Sequence, residues 1–554
     1  MIVTVYTAAE QRNGEDMKYI VRSRQVFDAV SNKPESKAIL IEDKKIEKIL
    51  PWDAAESEEY QAYPLKDYGD KLILPSFMDA HTHVFSGAVT ASDYVCDTLG
   101  ECKSQEECVE MIKAFADAHP DLKRIRGTGW FVGNWDNAPL PDKRSLDAVL
   151  PDIPVYLQCA DCHSFWMNTK AFEEAGIKPD PDFPNGIIGT FENGELSGLL
   201  MEPAACEPAN EKFMDFTKEE LLKIHRNFQK VLSSYGISAV SEMFANDYVD
   251  ATYESYDLLK EIDEEEGLAA HVYAYTKLFG YTEFSPYFKM KEHYDSPHFH
   301  IAGLKGFIDG VTETYTGLLL EPYTDKPETC GEGLPLWPKE KMQQEIIADK
   351  AGIQVRLHCI ADGSVRMALD MYEESVKING EKGLFNTIEH IENIHPADID
   401  RFAKLRVIPS MQPYHVTLSN NDKIFRIGAE RCEYEWPVRT IHRAGGEIAI
   451  GTDFPVVTID PFKTIYAAVT RRDDAGNVVC HNPWETLEMA EALKAYTTGA
   501  AKVYHADKEM GTLEEGKLAN LIVLSDNLFE IPTEQIEDTK VVVNIFEGKE
   551  IYAV

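Results

Sequence analysis

Eight times between residues 72 and 455 a short apolar run closes on polar or titratable side chains, and helical segments intervene. The runs are LILPSFMDAHTH, GISAVSEM, AAHVYAYTK, IAGLKGFIDG, IQVRLHCIAD, FNTIEHI, RVIPSMQP and EIAIGTDFP; KEELLKIHRNFQKVLSSYG and YVDATYESYDLLKEIDEEEG are two of the helical stretches. Runs this apolar lack strict alternation, so they read as strands covered on both faces, and parallel strands need helical crossovers to return the chain. Eight such units predict an α/β fold of the (β/α)₈ TIM-barrel type. That geometry also gathers the C-terminal ends of all eight strands on one face, where active sites lie in such barrels.

The spacing is uneven in one place. About 130 residues, from roughly Phe85 to Phe216, separate the first run from the second, far beyond an ordinary strand-to-helix connection. They predict a large insertion after the first strand, with structure of its own, emerging where strand ends gather and placed to cover a site. The first 75 residues hold short β-like runs such as KAILIEDKKIEKIL and KLILP; the last 50 hold LANLIVL, KVVVNIF and GKEIYAV. The two ends share a texture and are expected to pair as a small composite β-sandwich. The expected organisation is 1–74 for its N-terminal part, 75–504 for the barrel with the insertion at about 85–216, and 505–554 for its C-terminal part.

Composition narrows the partners. A chain of 554 residues, 44% hydrophobic and 27% charged, is long enough for this architecture and ordinary for a globular protein. Its formal charge of −39 would repel phosphates, so no nucleic-acid partner is expected. No apolar stretch is long enough to span a membrane, and the N-terminal MIVTVYTAAEQRNGEDMKYIV lacks the pattern of a secretory signal. Ten cysteines, of which only Cys159 and Cys162 have CxxC spacing, read as reduced thiols of a cytoplasmic protein. The tightest group, Cys159 and Cys162 beside His163, reads as such thiols rather than as a structural zinc site.

The ends of the runs carry the chemistry. The first closes on Asp79-Ala-His81-Thr-His83, and residues two apart in an extended chain point the same way. Neutral imidazole is a common ligand for zinc, iron or manganese. His358 closes a later run, His390 another, and Asp453 follows the last. Any one of these alone reads as a satisfied core histidine or a capping aspartate. Together, at equivalent positions of predicted barrel strands, they point to a metal centre.

These motifs, PSFMDAHTH, DCHSFWMNTKAF, GLKGFIDG, HCIADG, IEHIE, SMQPYH, GTDFP and MGTLEEGKLANLIVL, resemble the amidohydrolase superfamily, and within it amidohydrolase family 3, the YtcJ-like hydrolases. The resemblance covers the chain from about residue 38 to the end. It implies that His81 and His83 bind a more buried metal and His358 and His390 a more exposed one. Asp453 would touch the buried metal and take a proton from the attacking water. Lys305 matches the lysine that binuclear members carboxylate to bridge two ions; unmodified, it would pair with a carboxylate such as Asp309. Asp161, His163, Trp166, Asn168, Glu202 and Asp309 are expected as substrate-facing residues. Ser241-Glu242-Met243 departs from relatives, which often carry histidine or aspartate there.

The activity implied is hydrolysis of a non-peptide C–N amide bond in a small molecule, with N-substituted formamides or N-acyl amines as candidate classes. It would use one or two divalent cations per chain, zinc first, with manganese or iron accepting the same donors. Trp130, Trp135 and Trp166 suit a pocket for a flat or hydrophobic substrate. Two alternatives stay open: a mononuclear deaminase of a heterocyclic amine, and a barrel that has lost catalysis and serves as a scaffold. The resemblance also admits a homodimer.

Overall fold

The structure is a computed structural model and describes residues 4–5, 18–135, 139–160, 164–184, 186–243, 252–278, 283–312, 315–331, 339–418 and 423–554. It divides into two compact units, one of residues 1–85 and 229–554, the other of residues 86–228.

In the first unit the eight expected runs each supply a strand of one parallel sheet. In chain order these are Phe77–Asp79, Ile237–Met243, His271–Lys277, Phe299–Phe307, Gln354–Cys359, Thr387–His390, Ile408–Met411 and Ala449–Ile450, and each pairs with the next. The second strand is buried at all seven positions, as a strand covered on both faces must be. The ring closes where the first strand meets the last. Ala80 N donates to Ile450 O at 3.1 Å, Asp453 N to His81 O at 2.6 Å, and His83 N to Phe454 O at 2.9 Å. Thr82 and Phe454 bridge in parallel there.

The first run is not one strand. Leu72–Pro75 belongs to a different sheet, and Phe77–Asp79 to the barrel, with Ser76 between them. Pro75 has no N–H to donate, and it is the last residue of its ladder. Only Pro75-Ser76 interrupts the apolar residues on either side, which together read as one run in the sequence.

Both ends of the chain meet in that other sheet, along the path Thr4–Val5, Lys549–Ala553, Val541–Phe546, Leu521–Leu524, Leu72–Pro75, Lys18–Val26, Glu35–Glu42 and Lys45–Pro51, with Leu65–Asp67 beside Lys18–Val26. Where a sandwich was expected, these nine strands are hydrogen-bonded as one sheet. Tyr19, Val21, Ile39, Ile73, Leu521, Val523 and Ile545 form a buried cluster on it, and Tyr19 Oη donates to Gly548 O at 2.8 Å, 529 residues away.

The second unit has its own six-stranded sheet, in the order Ile187–Thr190, Leu196–Met201, Ser164–Met167, Val155–Cys159, Ile125–Trp130 and Val95–Cys96. Its core includes Leu99, Ile112, Ile125, Leu146 and Leu157 around three tryptophans. The division at residue 228 falls inside the helix Lys218–Ser234. Among the described residues nine cysteines are free, and no helix is long and apolar enough to cross a membrane. Cys162 and His163 lie outside the described residues, while Cys159 is buried in the core of this unit.

Candidate metal centre

Closure of the barrel brings the histidine pair beside the aspartate. His81 Nε2 lies 3.4 Å and His83 Nε2 3.0 Å from the same atom, Asp453 Oδ1. His390 Nδ1 is 3.9 Å from Asp453 Oδ2. One donor atom from each of His81, His390 and Asp453 lies within 4.8 Å of the other two. His358 joins through its ring, 4.4 Å from that of His390, with Nε2 3.2 Å from Gly310 O. The expected separation into a His81–His83 pair and a His358–His390 pair is therefore blurred, since His390 is also a neighbour of His81 at 4.8 Å between ring centres.

Backbone conformation contributes to this convergence. His390 and Asp453 have φ values of 73° and 65°, in the left-handed region that side chains other than glycine seldom adopt. Glu389 and His390 are consecutive, and a regular strand would send them to opposite faces. Both nevertheless approach His81, and the left-handed turn at His390 accounts for it. Strain of about 1–3 kcal/mol per residue persists only where the surroundings enforce it, and such residues concentrate at functional sites.

The imidazoles of His81, His358 and His390 are held as neutral donors. Burial pushes His81 down to about 4, with Lys305 adding to the effect, and pushes His358 down to about 3 in the same way. His390 is held well below the usual range by burial and by His358 and His81. Burial alone would raise the Asp453 carboxyl, but His81, His83 and His415 hold it far below the usual carboxylate range. For His83 burial acts downward and is outweighed by Asp453 and Glu242. Uncharged imidazoles around an ionised carboxylate are the donor set a divalent cation needs.

A layer of polar groups behind these donors, not anticipated from the sequence, fixes their orientation. His81 Nδ1 lies 2.6 Å from Glu389 Oε2, and Glu389 is paired with Arg356 at 2.8 Å, both side chains fully buried. Arg356 also donates to Ala80 O at 2.6 Å. A carboxylate on the far nitrogen of a ligating histidine sets its tautomer and raises its basicity. Gln412 does the same for His390, its Oε1 2.9 Å from Nδ1. Asp79 accepts from Thr452 N at 2.9 Å, Thr452 Oγ1 at 2.7 Å and His81 N at 3.1 Å, clamping the turn that carries the histidine pair. His415 lies 3.6 Å from Asp453 Oδ2 and stacks on His390. No sequence signal marks Glu389, because the acid of IEH directly precedes a candidate ligand and in a regular strand would face away from it.

Lys305 is buried on the fourth barrel strand, 2% exposed, and its Nζ has no hydrogen-bond partner. Burial pushes it down to about 8, Arg356 adding to the effect and Glu389 and Asp453 opposing it. Asp309 is not its partner, nor does it face a substrate: its Oδ1 accepts from Ile360 N at 2.9 Å, and its Oδ2 from Leu318 N at 3.0 Å and Ala361 N at 3.1 Å. It braces the loop after the fourth strand. Glu242 is buried beside Phe85 N, which donates to its Oε2 at 3.0 Å, and burial pushes it up to about 7.

Two further expectations need correction. Trp166 is fully buried in the core of the insertion, its Nε1 donating to Asp142 O at 3.0 Å and its ring 6.0 Å from Trp130 and 6.4 Å from Trp135. Trp130 and Trp135 are likewise buried, so the three rings form a core and not a pocket lining. Asn168 caps the helix Thr169–Ala175, accepting from Ala171 N at 2.9 Å and Val155 N at 3.0 Å and donating to Leu150 O and Ile153 O, both at 2.8 Å. Its whole hydrogen-bonding capacity goes to the fold. Asp161 and His163 lie outside the described residues. Glu202 is exposed, with φ 72°, just ahead of the helix Pro203–Phe213.

A sequence model described as an amidohydrolase family matches residues 67–552. The chain is 26% identical over 499 residues to YtcJ of Bacillus subtilis (strain 168), covering 87% of this chain and 89% of that protein. It is 23% identical over 512 residues to an N-substituted formamide deformylase of Arthrobacter pascens, covering 87% and 88%. An uncharacterized metal-dependent hydrolase of Pyrococcus furiosus, known from a crystal structure, superposes with a TM-score of 0.72 at 26% identity, covering 92% of this chain and 99% of that one.

Proposed function

The chain belongs to the amidohydrolase family, and from that premise we propose that it hydrolyses the C–N bond of a small amide, with N-substituted formamides or N-acyl amines as substrates. The observation that carries the reading is the meeting of His81, His83, His390 and Asp453 at the barrel seam, with His358 and the unpartnered Lys305 around them. The similarity to a formamide deformylase supports the substrate class.

His81, His83, His358, His390 and Asp453 would hold the metal, and zinc suits four imidazoles and a carboxylate, with manganese or iron accepting the same set. A divalent cation bound there supplies Lewis acidity toward a water and toward a carbonyl oxygen. Asp453 stays ionised among its histidines, so it can accept a proton from the attacking water and deliver it to the leaving nitrogen. Glu389 and Gln412 hold His81 and His390 in fixed orientation throughout. Lys305 is proposed to react with CO₂ through its neutral amine, forming an N–C bond and releasing a proton. The resulting carbamate offers two anionic oxygens to a second ion. Glu202 remains the proposed substrate contact among the described residues.

The test combines elemental analysis, intact-mass measurement and an activity screen on N-formyl and N-acyl amines. The expected result is turnover that is lost on chelation, restored by zinc, and abolished in His358→Ala without loss of folding. A mass gain of one CO₂ on Lys305 would establish the carbamate. Fully metallated protein that cleaves none of these amides would defeat the proposal, and release of ammonia from a heterocyclic amine would replace it with a deaminase.

A further inference from the structure

Away from the barrel centre, two loops of the first unit bring another set of donors together. The segment after the seventh barrel strand carries Cys432 and Glu435, and the segment after the helix Pro461–Thr470 carries His481. One atom from each, a sulfur, a carboxylate oxygen and an imidazole nitrogen, lies within 4.8 Å of the other two. Cys432 and Glu435 are fully buried, while the His481 side chain is 27% exposed. Glu435 Oε1 accepts from His481 N at 2.6 Å and lies 3.3 Å from His481 Nδ1. Its second oxygen, Oε2, is buried without a hydrogen-bond partner.

That orphaned oxygen is the informative atom. Leaving a buried carboxylate oxygen without a donor incurs the full desolvation penalty of that oxygen, and native structures seldom tolerate it without a reason. None of the described donors is hydrogen-bonded to it, although Arg471 Nε and Trp436 Nε1 on neighbouring side chains are themselves buried without partners. Lys423 Nζ is 2.8 Å from Glu392 and 3.7 Å from the centre of the Trp436 ring, and Arg471 donates to the Glu435 and Trp436 carbonyls at 3.3 Å. We propose that Cys432, Glu435 and His481 form a separate site for a thiophilic divalent cation of the zinc class. One thiolate, one imidazole and one carboxylate, with a water as fourth ligand, satisfy four-coordinate zinc. Burial pushes the Cys432 thiol up to about 12, Glu435 adding to the effect. Binding therefore displaces the thiol proton to solvent as the sulfur–metal bond forms. The ion would staple the segment after the seventh barrel strand, which also carries His415, to the segment after the helix Pro461–Thr470.

Sulfur makes this testable independently of the catalytic reading, because the barrel centre offers only nitrogen and oxygen donors. The full chain is stripped of metal, reloaded with Co(II), and followed in the near ultraviolet for thiolate-to-cobalt charge transfer. The band is expected in wild type and in Cys359→Ser, the cysteine beside the barrel donors, and is lost in Cys432→Ser. His481→Ala, at the partly exposed ligand, should weaken cobalt affinity of the band on the order of tenfold or more. It covers the case in which Cys432→Ser fails to fold. Absence of the band in wild type, its survival in Cys432→Ser, or an unchanged affinity in His481→Ala would overturn the site and leave a core thiol beside a hydrogen-bonded loop.

Discussion

Replacing Gly451 by alanine adds one methyl group where the barrel closes. A Cβ there would lie 2.3 Å from His81 N, 2.8 Å from Asp79 Oδ1 and 2.9 Å from His81 Cβ. The closest of these is backbone, which has no rotamer to change, so the seam must open by roughly 0.7 Å to reach the 3.0 Å that real contacts respect. Over-packing of a rigid interior costs about 1–3 kcal/mol, and a backbone obstacle places this case near 3. The opening also separates His81 from Asp453, whose N–H donates to His81 O at 2.6 Å, and so spreads the donors. Displacement on this scale should weaken the metal between 10- and 100-fold, about 1.4–2.8 kcal/mol. Competition with a chromogenic chelator measures the affinity, and thermal melting of the metal-free protein measures the packing cost. A Gly451→Ala protein that melts with wild type and binds metal equally well would refute the claim that this seam positions the donors.

Glu389→Gln leaves the buried Arg356 without its carboxylate and releases His81; a destabilisation on the order of 3 kcal/mol and a 10–100-fold loss of metal affinity are expected by melting and chelator competition. Wild-type melting behaviour would contradict it. Trp166→Ala should cost about 3–5 kcal/mol within the insertion, read as lost hydrogen-exchange protection there, with the barrel's metal content intact. Unchanged protection with an altered KM would instead make Trp166 a substrate contact. His298 is packed on Asp263 at 2.6 Å and Glu547 at 3.3 Å; burial lowers it, but the two acids outweigh burial and raise it to about 9. A group whose folded value lies above its unfolded one stabilises fully below about pH 6.5, and that stabilisation is lost as pH rises through 9. This group should therefore contribute a loss on the order of 2–3 kcal/mol over that window, and the profile of His298→Gln should lack that contribution by denaturant titration. An equal slope in both proteins would remove His298 as its source.

Much of the barrel was readable because parallel strands covered on both faces appear as apolar runs, and the candidate ligands sit where those runs stop. The polar layer behind the ligands was not. Arg356 and Glu389 interrupt their strands as any charged residue might, and only the closed ring reveals that they meet each other and His81. The left-handed backbone at His390 was equally invisible, since no glycine marks it. With Asn168 the signal was present but read as substrate recognition. Asn168 precedes a helical stretch ending at Gly176, the pattern of an N-cap and a left-handed C-terminal glycine, and both are found. The switch between sheets at Ser76 was marked only by Pro75-Ser76, set between apolar residues that read as one strand.

The clasp between Asp79 and Thr452 joins residues 373 positions apart. Bringing such distant points of a flexible chain together carries an entropic cost of about 5 kcal/mol, and the same act completes the ligand set. A growing polypeptide therefore lacks a finished ion cradle until Thr452 and Asp453 have left the ribosome. Cation capture then rewards the last join of the ring, so mineral supply and maturation of this protein are thermodynamically tied.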